Sequence, residues 1–160
     1  MEKYDQTASS SSSSSAPTYK YHVFLSFRGA DTRTSFTDHL YSALAKAGII
    51  TFRDNDEIER GEDIKSELER GIKQSKMSII IFSENYASSE ACLYEVQMIL
   101  EHHEKSAGHI ILPVFYRMEP AEIKPQAKDL AAVATQERQI RWGAALKKVA
   151  SLAGMPLKHQ

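Results

Sequence analysis

Two groups of side chains in this sequence have the types and spacing to do chemistry together. One is Glu95, within Ser88-Ser89-Glu90-Ala91-Cys92-Leu93-Tyr94-Glu95-Val96; the other is the run Arg28-Gly29-Ala30-Asp31-Thr32-Arg33. A carboxylate across a crevice from arginines has two readings. It is a structural ion pair, or it grips a ribose by its hydroxyls while the arginines take phosphates. Other chemistries fall away on missing residues. Only Gly29 follows the first apolar run, so the glycines that let a backbone approach a dinucleotide are absent, as is a G-x-x-x-x-G-K-[ST] loop. A phospho-accepting receiver needs acidic residues after the first strand and an aspartate after the third; Arg28 and Ser83 stand there. His102 and His103 are adjacent on a helix, about 100° apart, and read as a solvated face rather than a metal pair. Cys92 has no evident base and reads as a small buried residue rather than a nucleophile.

The elements that must position these residues alternate in type. Tyr21 to Phe27 is apolar on both faces, as a central strand covered on both sides reads, and then turns polar at Arg28. Thr34 to Ala47 carries Phe36, Leu40, Leu44 and Ala47 on one stripe, and Gly48 closes the helix. Ile49 to Phe52 is a short strand, and Arg53 to Asp63 is a charged loop. Ile64, Leu68 and Ile72 mark a second helix, Met77 to Phe82 a third strand, and Ala91 to His103 a third helix capped by Ser88 or Ser89. His109 to Tyr116 is a fourth strand containing Pro113, which belongs where a backbone donor is not needed, such as a bulge. One short helix is expected between Arg117 and Val133, and a last helix from about Thr135 to Ala153 with Trp142, Leu146 and Val149 inward. Strand–helix alternation with short connections predicts an α/β fold, a flavodoxin-like parallel sheet of order 2-1-3-4 with helices on both faces. A fifth strand completing 2-1-3-4-5 has no clear signal. In that order the first and third strands are neighbours, so Glu95 and the Arg28–Arg33 loop open onto one crevice at their carboxyl ends.

Composition sets the bounds. A chain of 160 residues with 42% hydrophobic content supports one packed domain. The formal net charge of -1 argues against general nucleic-acid binding. A single cysteine leaves no internal disulfide framework and fits a reducing compartment. No apolar run approaches membrane-spanning length, and the first residues lack the apolar core of a secretory signal. A cytoplasmic or nucleocytoplasmic protein is expected. Residues 1–18, with the serine run Ser9 to Ser15, read as a disordered tail, 19–154 as the domain, and 155–160 as a tail or the start of a linker.

Four blocks in order, FLSFRGADTR, DNDEIERGEDI, IIIFSENYASSEACLYEV and ILPVFY, resemble the TIR domain of plant intracellular immune receptors. The resemblance covers Tyr19 to about Gly154. It implies the flavodoxin-like fold, self-association with its own kind or with other TIR-containing immune receptors, and hydrolysis of NAD+ or NADP+ as substrates with no resident cofactor. The family's catalytic glutamate falls on Glu95. Its substrate-binding positions fall on Arg28, Gly29, Ser89 and Ala91, with Arg60 in the loop from Asp54 to Glu62 acting from a neighbouring subunit. Ser89 either holds the nicotinamide end or caps the helix. The family's Ser-His self-association pair is Asp38-His39 in this chain. Two departures stand out: Ala91 where the motif usually has tryptophan, and Ala30 where the first loop usually has glutamate. The resemblance therefore leaves two expectations, an NAD+ nucleosidase active when assembled, or a TIR scaffold that signals by homotypic contact alone.

Overall fold

A computed structural model of the chain describes residues 18–32, 34–53, 64–123, 136–152 and 155–157. The serine-rich leader, Arg33 and the charged loop holding Arg60 lie outside the described residues. Strand β1 is Tyr21–Phe27, followed by a single helical turn, Gly29–Thr32. Helix α1 is Phe36–Lys46 and strand β2 is Thr51–Arg53. Helix α2 is Ile64–Lys73, strand β3 Ser75–Phe82, helix α3 Glu90–Lys105 and strand β4 Ile110–Tyr116. Helix α4 is Gln136–Ala150, and Met155–Leu157 forms strand β5. The sheet has five strands in the order β2-β1-β3-β4-β5, all parallel. This is the expected doubly wound order.

The fifth strand falls where a tail was expected. Met155, Pro156 and Leu157 pair with Val114, Phe115 and Tyr116. Pro113 lies in register opposite Ile80 without a bulge. Among the described residues pairing with β5 begins at Val114, which leaves β4 an edge at Pro113, the setting in which a missing donor is tolerated. The weak stretch after β4 holds a short 3-10 helix, Pro120–Glu122.

Period-two alternation divides the core into two faces. On one face Phe24, Ile80, Phe82 and Phe115 pack with Leu68 and Ile72 of α2, Leu93, Val96 and Ile99 of α3, and Trp142, Leu146 and Val149 of α4. On the other, Val23, Leu25, Phe27, Ile79 and Ile81 pack with Phe36 and Leu40 of α1. Helix α3 packs against both α2 and α4. At Gly71 of α2 there is no room for a side chain, because an added Cβ would meet the Phe52 ring at 3.0 Å. Phe52 in turn stacks on Phe24 with ring centroids 5.2 Å apart.

The two helix histidines depart from the solvated face expected of them. His102 and His103 are half-buried and pack their rings on His109, at centroid distances of 4.7 and 5.7 Å. The physical reason is the turn at Gly108, whose φ of 89 reverses the chain after α3 and returns His109 beneath it. His109 is buried, and its Nε2 lies 3.3 Å from Ser78 Oγ on β3. Among the described residues no group of three or more His, Cys, Asp or Glu is arranged to hold a metal.

Candidate functional site at the carboxyl end of the sheet

The site is built where β1 and β3 run side by side, with Phe27 opposite Ile81 in register. Both strands end here, and each hands the chain to a polar segment. After β3, Ser83 leads through Asn85 into the 3-10 turn Tyr86–Ser88 and then into α3. Ser89 is the N-cap of α3, in extended conformation with φ -97 and ψ 118, and its hydroxyl accepts from the Cys92 amide at 3.2 Å. Capping satisfies one of the first orphan amides of the helix, which fixes where α3 starts. Ser88 points its hydroxyl back to the Asn85 carbonyl at 2.9 Å.

Glu95 lies one turn inside α3 and is 2% exposed. Ser26 of β1 donates its hydroxyl to Glu95 Oε1 at 2.8 Å. The Tyr86 hydroxyl lies 2.6 Å from the same Ser26 oxygen. The carboxylate is thus held from the strand floor by a buried hydroxyl, where the sequence placed arginines across a crevice. Arg28 follows directly on β1, and its charge acts on Asp31 of the helical turn. Its guanidinium Nε is buried without a hydrogen-bond partner. The Cys92 thiol lies 3.6 Å from the carbonyl of Phe27, the residue before Arg28, which fits a small buried residue rather than an activated nucleophile.

A second network joins the two walls. Asp31, on the helical turn after β1, accepts from Ser83 Oγ at 2.5 Å and from the Asn85 amide at 2.8 Å through Oδ2, and from Asn85 Nδ2 at 3.0 Å through Oδ1. Burial acts to raise the Asp31 pKa, but the Ser83 and Asn85 hydrogen bonds and the Arg28 charge outweigh it and hold the carboxyl below its ordinary value. Thr32 anchors the other side of the turn through Thr37 of α1, hydroxyl to hydroxyl at 2.6 Å.

The remaining candidates are spread around this centre. Gly29 begins the helical turn and is half-buried, while Ala91 is exposed in the first turn of α3. Asp38 and His39 are exposed on α1, over the sheet face opposite Glu95. Asp38 pairs with Arg53 at 3.5 Å, and the Arg53 guanidinium lies 3.9 Å from the centre of the Tyr41 ring. Arg60 lies outside the described residues. Sequence reasoning missed Ser26, Tyr86 and Asp31. The available signal was Ser26 itself, a lone hydroxyl in an otherwise apolar central strand, which must find a partner when buried.

A five-stranded parallel α/β domain, with a buried carboxylate at the end of its two central strands, defines the class. The profile of the TIR domain family matches residues 20–160. The chain belongs to the TIR domain family. It is 46% identical over 149 residues to the disease resistance protein RUN1 of Vitis rotundifolia, covering 88% of this chain and 11% of that protein. It is 39% identical over 152 residues to the disease resistance protein RPS6 of Arabidopsis thaliana, covering 91% of this chain and 13% of that one. The chain therefore spans little more than a tenth of these relatives' length. Among solved structures, the TIR domains of the activated Roq1 resistosome superpose with a TM-score of 0.77 at 44% identity, covering 86% of this chain and 88% of that one. The TIR domain of the Toll-related receptor TRR-2 from Hydra magnipapillata shares the fold, with a TM-score of 0.55 at 20% identity. Among the described residues no helix is long and apolar enough to cross a membrane.

Proposed function

We propose that this chain is an NAD+ nucleosidase of plant immune signalling, active when its TIR domains self-associate inside the cell. It cleaves the nicotinamide–ribose bond of NAD+ or NADP+. The observation that carries this reading is Glu95, a buried carboxylate held by the Ser26 hydroxyl at the carboxyl ends of β1 and β3. Parallel α/β sheets bind their ligands at such a place.

The chemistry follows from the bond that breaks. The C–N electron pair leaves with nicotinamide, and the ribose acquires oxocarbenium character. A carboxylate beside the sugar stabilises that charge and orients the hydroxyls. Water then adds to the anomeric carbon and a proton is released, giving ADP-ribose; attack by a hydroxyl of the same nucleotide gives a cyclic product instead. Glu95 takes the carboxylate role, and Arg28 the positioning of phosphate. Ser89 acts through its cap, by fixing the start of the helix that carries Glu95. The 2% exposure of Glu95 supports a site that one chain alone does not present. The immune role rests on the disease resistance proteins it resembles, and self-association on the resistosome in which a 44% identical relative was solved.

The test is NAD+ consumption by artificially clustered protein, with Glu95→Gln beside the parent. Nicotinamide release by the parent and a loss of at least about a hundredfold in the variant is expected, since an electrostatic stabiliser is worth that much. Equal turnover by both proteins refutes the assignment. The exposed alanine at Ala91 favours the second reading, a scaffold that signals by TIR–TIR contact. No turnover in clustered protein whose self-association is intact selects it.

A further inference from the structure

Ser26, Tyr86 and Glu95 form a chain of polar groups that a packed sheet has no reason to contain. Ser26 and Tyr86 are both 0% exposed. Phe24 and Phe82 pack on the same face, and Tyr86 sets its ring edge-on to Phe82 with centroids 5.1 Å apart. Alanine and phenylalanine would fill these places without burying hydroxyls, which cost free energy unless hydrogen-bonded. The order of the bonds is fixed by proton count. Ser26 has one hydroxyl proton, and it goes to Glu95 Oε1 at 2.8 Å. The Tyr86 hydroxyl, 2.6 Å from Ser26 Oγ, must then donate to Ser26. The direction is Tyr86 to Ser26 to Glu95, and each bond polarises the next in a low-dielectric setting.

The geometry points to Ser26 and Tyr86 as positioning residues that hold Glu95 ionised and in one rotamer for its role in catalysis. The catalytic half of this inference rests on the nucleosidase reading; the relay itself does not. Burial alone would drive the Glu95 proton affinity up and leave a neutral acid unable to stabilise a cationic sugar. Donors aimed at the ionised form oppose that. Around this carboxylate the described residues place Ser26 of β1, Tyr86 of the 3-10 turn and, one turn earlier on α3, Cys92, while Arg28 follows β1 with its Nε buried. Lys65 of α2 and Arg138 of α4 lie over the ring of the adjacent Tyr94, at 4.9 and 5.4 Å from its centre. The β-strand serine thus meets the helix glutamate 69 residues on and the turn tyrosine 60 residues on, contacts that the topology of the sheet brings together.

The experiment uses the full chain labelled with 13C at glutamate side-chain carboxyls. Glu95 is assigned by the signal missing in Glu95→Gln, and its titration midpoint is followed in the parent, in Ser26→Ala and in Tyr86→Phe. Loss of a hydrogen bond to a charged group predicts an upward shift of about one pH unit or more in Ser26→Ala. Tyr86→Phe removes one hydroxyl without changing the ring and shifts the midpoint in the same direction by less. In clustered protein the acid limb of kcat/KM moves with the midpoint. A merely structural role lowers thermal stability and leaves the midpoint where it was. Midpoints unchanged in both variants, with amide spectra showing them folded, overturn the relay. Shifted midpoints in a parent that does not turn over NAD+ uphold the relay and overturn the nucleosidase reading instead.

Discussion

Acidification should destabilise this domain through one buried histidine. His109 is 3% exposed and carries the rings of His102 and His103 against its own. Burial, and then the charges of His102 and His103, lower its pKa from the ordinary 6.5 to about 4. The sign follows from linkage. Below pH 6.5 the unfolded chain takes up a proton that the folded chain refuses, so stability is full above that value and is lost as pH falls toward 4. The gap between 6.5 and 4, at about 1.36 kcal/mol per unit, gives a total loss of about 3 kcal/mol. At pH 5 about 2 kcal/mol of it has gone. His109→Gln removes the titration and keeps a polar group for Ser78, 3.3 Å from the present Nε2. The assay is urea unfolding of parent and variant at pH 7.5, 6, 5 and 4.5. The variant starts about 1 kcal/mol below the parent from imperfect packing and overtakes it just below pH 6, where the parent has lost about 1 kcal/mol. A stability difference that stays constant from pH 7.5 to 4.5 refutes the reasoning.

Two further substitutions test the frame around the site. Asp31→Ala removes the acceptor of three hydrogen bonds and leaves the buried Ser83 hydroxyl unpaired. It should cost about 1–3 kcal/mol in chemical unfolding and expose the Asn85 amide to hydrogen exchange; a protected Asn85 amide in the variant would show that the clamp is not needed. Gly71→Ala should destabilise, although alanine is the better helix former by about 1 kcal/mol. Its Cβ would meet three atoms of the Phe52 ring at 3.0 to 3.1 Å, an overpacking worth about 1–3 kcal/mol, and a raised melting temperature would contradict it.

The sheet was legible because its central strands are long and apolar enough to be buried on both faces. β1, β3 and β4 each carry a run that no surface element would carry, and Leu40, Leu68 and Val96 mark the helix stripes. β5 was illegible for the opposite reason. Met155, Pro156 and Leu157 are too short for a period, and proline argues against a strand. They pair only because β4 leaves an open edge from Val114 onward. Boundaries moved where tertiary contacts extend an element: β3 begins at Ser75, which pairs with Tyr21 and donates its hydroxyl to the Gly71 carbonyl at 2.6 Å. In the site, the place of Glu95 was legible from topology, but its partner was not. Charge complementarity pointed to arginine, while the strand floor supplies the hydroxyl of Ser26 at 2.8 Å. The His102–His103–His109 contacts depend on a glycine turn, and helix periodicity alone says nothing of what packs beneath the last turn of α3.

The two ends of the sheet then bear on one another in any measurement that varies pH. An ordinary glutamate titrates near 4.3. In that range the histidine end has already removed about 3 kcal/mol from folding, a large share of the 5–15 kcal/mol that a domain of this size possesses. An acid limb in the parent's turnover would therefore mix loss of the Glu95 charge with loss of the folded state. The His109→Gln background separates them, because the substitution lies at the amino end of β4 and leaves the carboxyl-end groups untouched. If Glu95 governs the limb, turnover in that background keeps the parent's midpoint and Ser26→Ala still raises it. If the limb moves to lower pH in His109→Gln alone, unfolding set it, and the carboxylate at the centre of the site has yet to be titrated.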